Sequence, residues 1–273
     1  MVELISVPWD RKAVLISRPN RFLAIAKLAD PGIKETLKVH VRDPGRLTEL
    51  LFPGNQLLLK YAAGPGRKTE WDLVAARHDR KWIIVNSGLH PSIARAIIEN
   101  KGISPFGKVN AVRPEVKYGR SRLDFLITVG TRNIYTEIKG CTLASKDGLV
   151  AMFPDAPTDR GRRHLEELIA VRHQGDRAAV IFLVFRSNCR IFMANSNTDP
   201  AFANKLRKAQ ENGVEIYPVL LEYRHDKIWY KGILPVMFEE KGLLAGKSAA
   251  NLDSFVKSPN VTQSHKDRKD NVL

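Results

Sequence analysis

In residues 121–140, SRLDFLITVGTRNIYTEIKG, Asp124 stands in one apolar run and Glu137 and Lys139 stand in the next. One acid beside an acid–X–lysine suits a hard divalent ion held by carboxylates and waters, with an ammonium to offset charge on a phosphoryl group. Side chains alternate across a strand, so Glu137 and Lys139 leave on one face and Ile138 on the other. Asp124 joins that face if the loop between the strands holds two residues, Thr131 and Arg132, or four, 130–133. Asp124 then lies opposite Lys139, with Glu137 diagonal to it. A three-residue loop would bring Ile138 there instead. In the preceding turn, YGRS, Gly119 suits the first position of a type II′ hairpin, which pairs Tyr118 with Ser121 and sets Glu115 opposite Asp124.

Opposed carboxylates at ~5 Å repel by about 3 kcal/mol at an effective dielectric near 20. A solvated hairpin face bears such residues without further meaning. A buried face needs a cation, and Leu123, Phe125, Ile127, Ile134 and Ile138 make this hairpin apolar. The expected ligands are therefore Asp124, Glu137 and Glu115, with Mg2+ or Mn2+ as the ion. Lys139 is placed to position or deprotonate a water. Downstream, FPDAPTDRGRRHLEELIAVRHQG reads as a helix over roughly 158–173, with Thr158 as its cap and Gly175 as its stop. Arg160 and His164 share a face of that helix. Its first turn, with Arg160, Arg162 and Arg163, suits a phosphate.

The elements that must hold these groups fall into two sets. From residue 10 to about 86, short runs such as KAVLISR, RFLAIAKLA, TLKVHVR and QLLLKYAA alternate with turns such as DPG and FPGN. This spacing predicts an OB-like barrel over 1–86. From 87 to 237 the chain predicts a helix over PSIARAIIENKG, then strands and helices in the order βββαβαβ. The continuously apolar run AAVIFLVF places one strand inside a mixed sheet. Residues 238–273 read as a flexible tail. The fold class is α/β (α+β in two domains).

The 273 residues carry 44 Lys and Arg against 29 Asp and Glu, a formal charge of +15. That excess favours a polyanion, nucleic acid first and a membrane surface second. Arg122, Arg160, Arg163, Arg46, Lys68 and Arg21 are the candidates for holding phosphates. Phe22, Arg67 and Trp71 are further barrel candidates for backbone holding or base stacking. A lipid partner would call for an amphipathic basic helix with aromatic anchors, which the sequence lacks. No apolar run is long enough to span a bilayer and no signal peptide is evident, so a cytoplasmic location is expected. Cys141 and Cys189 are solitary and read as buried thiols. Whether copies form a homo-oligomer stays open.

The stretches VRPEVKYGRSRLDF, TEIKGCTL and FPDAPTDRGRRHLEEL together resemble the sugar fermentation stimulation protein A (SfsA) family, and the resemblance runs over about residues 10–235. It implies an OB-like domain followed by a PD-(D/E)XK nuclease-like domain, and DNA binding tied to the regulation of sugar utilisation genes. Asp124, Glu137 and Lys139 match the nuclease-like triad, with Leu123 where the signature has proline. Glu115, Arg160 and His164 match motif residues around it. The chain departs from the family pattern at Asp43–Pro44 and Ser87. Two functions follow, a regulator that binds DNA on a nuclease-like fold and an active metal-dependent nuclease on DNA or RNA.

Overall fold

The computed structural model describes residues 1–30 and 35–238. Its first seven strands are β1 (Val2–Ser6), β2 (Arg11–Asn20), β3 (Leu23–Leu28), β4 (Thr36–His40), β5 (Gln56–Tyr61), β6 (Trp71–His78) and β7 (Lys81–Ile84). Alternation sends Ala13 and Leu15, Ala24 and Ala26, and Leu37 and Val39 inward, all buried, while Lys12 and Lys38 point out. Strands β4, β3, β2, β5 and β6 follow one another, and β6 returns to β4 through Val39 and Trp71. The barrel is thereby closed, which leaves no strand edge open.

A short 3-10 turn leads into α1 (His90–Glu99), which buries Ile93, Ala94, Ile97 and Ile98. Then come β8 (Ala111–Tyr118), β9 (Ser121–Val129), β10 (Arg132–Cys141), β11 (Val150–Phe153), α2 (Asp159–His173), β12 (Arg177–Val184) and β13 (Ile191–Ala194). The described elements finish with α3 (Pro200–Glu211), β14 (Glu215–Arg224), β15 (Lys227–Ile233) and β16 (Val236–Met237). Strands β14, β12, β10, β9 and β8 lie side by side, the first three parallel and the last three antiparallel, so the sheet is mixed. The apolar strand β12 lies inside it, buried from Ala178 through Val184. One core, shared with the barrel, packs α1 against Phe125, Ile127 and Ile138. The other packs α2 and α3 against Leu123, Val180 and Phe182. Among the described residues no helix is long and apolar enough to cross a membrane.

Three features differ from the sequence reading. Strands β1 and β15, which pair with each other, and the small sheet β11–β13–β16 are additional. Through β6–β7 and β7–β14 the barrel joins the mixed sheet, with β15 and then β1 added beside β14, as one 13-stranded assembly. The β9–β10 turn is Gly130–Thr131, because Val129 pairs with Arg132 and Gly130 takes a φ of +59°. That shifts the expected register by two positions and sets Asp124 facing Glu137, with Lys139 diagonal. Parity is unchanged, so Asp124 still shares a face with Glu137 and Lys139. The stretch beyond Phe238, expected as a tail, lies outside the described residues.

Candidate metal and phosphate site

Between β9 and β10 the paired ladder runs from Val129 and Arg132 to Phe125 and Thr136. Beyond that rung the Asp124 side chain takes over, with Oδ2 accepting the Ile138 N–H at 2.7 Å. Leu123 and Phe125 pack into different cores, so β9 changes face at Asp124. Next to it lies Glu137, 3% exposed, whose Oε1 accepts from Lys139 Nζ at 2.5 Å and from His164 Nδ1. Its other oxygen, Oε2, is buried and has no hydrogen-bond partner. A buried carboxylate oxygen left unmatched is costly by about 1–3 kcal/mol or more.

Burial pushes the Asp124 carboxyl up to about 6; the Glu137 charge adds to this, while the Ile138 N–H, Lys139 and His164 pull the other way. Burial also opposes the charge on Glu137, but the His164 hydrogen bond and the Lys139 ammonium outweigh it and hold that carboxyl below its ordinary value. The pair is therefore asymmetric. Glu137 is held as the anion, while Asp124 keeps its proton to higher pH than a free carboxyl.

The helix supplies the rest. Thr158 caps α2 by accepting from Gly161 N at 3.0 Å. Gly161 is required there, since a Cβ would meet Thr158 Cγ2 at 2.8 Å and Phe202 of α3 at 3.2 Å. Asp199, 3% exposed, ties the two helices together by accepting from Thr158 N at 2.9 Å, Phe202 N at 2.9 Å and Arg162 Nη1 at 2.7 Å. One turn along, His164 is 2% exposed against Glu137. Arg160 Nε donates to His164 Nε2 at 3.4 Å. The imidazole is thus gripped from both sides, by Glu137 at Nδ1 and by Arg160 at Nε2.

The structure thus gathers Asp124, Glu137, Lys139, His164 and Arg160, and it does not gather Glu115. That residue lies across from Asp124 in register, but its φ of +52° turns it out to solvent, where it meets Arg122 at 3.1 Å. Among the described residues no group of three or more His, Cys, Asp or Glu is arranged to hold a metal. Glu115, expected on the same face as Asp124 and Glu137, is turned away from them. Arg162, expected to meet phosphate, is instead paired with Asp159 and Asp199. Arg163 reaches Ser121 Oγ at 3.2 Å. On the barrel, Arg21 and Arg46 border one cleft and Lys68 another, while Trp71 is half-buried edge-on against Tyr61.

Sequence reasoning passed over two residues. Asp199 showed only the signal of an Asp–Pro helix start, and Asp155, whose Oδ2 accepts from Arg46 N at 2.8 Å, showed none beyond its motif.

Comparison with known proteins follows the same division of the chain. A family model described as "SfsA N-terminal OB domain" matches residues 16–85, and one described as "Sugar fermentation stimulation protein RE domain" matches residues 88–227. A sugar fermentation stimulation protein homolog of Methanococcoides burtonii is 44% identical over 239 residues, covering 87% of this chain and 96% of the relative. One from Methanothermobacter thermautotrophicus is 45% identical over 206 residues, covering 76% and 83%. Among solved structures, that of Pyrococcus furiosus SfsA in complex with Ca2+ matches with a TM-score of 0.79 at 30% identity, covering 87% of this chain and all of the other.

Proposed function

The chain belongs to the sugar fermentation stimulation protein family, and from that premise we propose that it binds nucleic acid, DNA first, and hydrolyses phosphodiester bonds with a divalent ion held by Asp124 and Glu137. The observation that carries this reading is the Glu137 Oε2 atom, buried without a partner beside a carboxyl raised to about 6. Two carboxylates with waters fit Mg2+ or Mn2+, and the Ca2+ bound by the Pyrococcus furiosus relative supports a hard divalent ion in this fold. When bound, such an ion supplies Lewis acidity toward a phosphoryl oxygen and lowers the pKa of a water.

The chain's own residues do the rest. Lys139 Nζ, beside Glu137 and 15% exposed, offsets charge on the phosphate under attack and orients the water. His164 holds Glu137 Oε1 and so fixes the carboxylate whose other oxygen, Oε2, would be free to hold an ion, and Arg160 holds His164. A cytoplasmic location goes with a nucleic-acid partner.

The second reading, binding that regulates sugar utilisation genes without turnover, is favoured by the net charge of +15. Incubating the protein with plasmid, single-stranded DNA and RNA in Mg2+ or Mn2+ separates the two. Hydrolysis predicts fragments, and Lys139→Ala should stop them without weakening binding. If wild type leaves every substrate whole, the regulatory reading stands.

A further inference from the structure

Phe22, in the turn between β2 and β3, is 53% exposed. Its backbone is nevertheless held on both sides. The Phe22 N–H donates to Asn20 Oδ1 at 2.9 Å, and its carbonyl accepts from Val41 N–H at 2.9 Å. A fixed aromatic ring left in solvent is a surface for stacking. It borders a cleft of about 510 Å3 lined also by Asn20, Lys38, His40, Arg67 and Lys68. Asp72 engages Arg67, but among the described residues Lys38 and Lys68 have no carboxylate within ion-pair distance.

A second cleft of about 410 Å3 shares Asn20 and continues past Arg21 and Arg46 to Pro157. Arg18 fixes its floor, its guanidinium donating to the carbonyls of Arg21, Gly45 and Arg46. Pro157 directly precedes the Thr158 cap of α2, and Arg160 in that helix's first turn touches His164. A basic path thus leads from the barrel ring to the start of α2.

We infer that this path holds one unpaired strand of nucleic acid, with a base stacked on Phe22 and phosphates on Lys38, Lys68, Arg21 and Arg46. The inference rests on the nucleic-acid reading above and narrows its substrate to single strands or duplexes with a frayed or overhanging end. A base inside a duplex has both faces covered by its neighbours, so the ring engages only a base that has left the stack.

Fluorescence anisotropy in EDTA, which removes any cleavage, tests it with labelled oligothymidylate, oligouridylate and a blunt duplex. Phe22→Ala should weaken binding to the single strands by about tenfold to a hundredfold, the range associated with removing one base–aromatic stack, and Phe22→Trp should restore it. Duplex binding should move by less than about twofold. Lys38→Gln with Lys68→Gln should lower the single-strand salt slope by about 1.4. An unchanged melting temperature confirms that each variant folds. Single-strand binding untouched by Phe22→Ala, or equal loss on single strands and duplex, overturns the inference while leaving hydrolysis standing. Wild type that binds none of the three overturns the nucleic-acid reading and the inference together.

Discussion

Asp124 faces Glu137 across the end of the β9–β10 ladder, and its carboxylate takes the Ile138 N–H that a backbone carbonyl of β9 would otherwise take. The two acids are held close by main-chain pairing rather than by mutual attraction. In the absence of a cation their proximity is a liability of the folded state.

Removing one charge should therefore stabilise the protein. The folded chain keeps a proton on Asp124 up to about pH 6, whereas the unfolded chain releases it near 3.8. Stability falls as pH rises between those values and stays lowered above them. Asp124→Asn keeps an acceptor for Ile138 and abolishes that loss. At pH 7.5, without divalent ions, we expect the variant to be more stable by about 1–3 kcal/mol, shrinking to nothing near pH 4. Urea unfolding at the two pH values measures this, and an equal gain at both would show that Asp124 is not the source.

Ion binding should carry a proton signature. Below pH 6 an incoming Mn2+ must displace the Asp124 proton, so affinity should fall as the pH is lowered through about 6. Calorimetry at pH 5.5 in buffers of different ionisation enthalpy should count about three-quarters of a proton released per ion, and at pH 7.5 close to none. No difference between the two would place the ion elsewhere.

Loss of His164 should be felt at Glu137. His164→Ala removes a donor from a buried carboxylate, and we expect a cost of about 1–3 kcal/mol together with weaker Mn2+ binding. His164→Gln, which can still donate, should recover part of both. Stability lost with Mn2+ binding intact would mean that the histidine only fills space.

Helix propensity gives the wrong sign at Gly161. Ala normally stabilises a helix by about 1 kcal/mol over Gly, yet here its methyl would stand 2.8 Å from Thr158 and 3.2 Å from Phe202. Gly161→Ala should destabilise by about 1–3 kcal/mol, read from its urea midpoint. A more stable variant would show that α2 and α3 can separate at no cost.

Asp199 should be worth more than an ordinary cap. Burial opposes its charge, but the Thr158 and Phe202 N–H groups and Arg162 hold its carboxyl below the ordinary value. Asp199→Ala strands those donors, and a loss of about 2–4 kcal/mol is expected, with Arg162 left in a half-buried setting. Because this carboxyl is lowered, the stability it adds is present above pH 3.8 and fades as pH falls below that value. A variant and wild type equally stable at pH 7 would refute the clamp.

Much of the site could be read from local chemistry, and what could not depended on backbone detail or distance. Gly119, at a φ of +54°, makes the turn that pairs Tyr118 with Ser121, as its position in YGRS required. The next turn falls on Gly130 instead of Thr131–Arg132, and parity survived only because the shift was even. Glu115 defeats the alternation rule, since a single residue at positive φ swings its side chain out without altering the pairing around it. Strand β1 carries too weak a pattern to announce a partner so far along the chain.

That last pairing, of Val2–Ser6 with Lys227–Ile233, governs how the molecule comes into being. On a ribosome adding about 5–20 residues each second, the opening strand waits on the order of 10–45 s for the segment that completes it. The nascent barrel meanwhile sits next to a loose, unzipped end. Cutting the gene after the barrel would make that wait permanent.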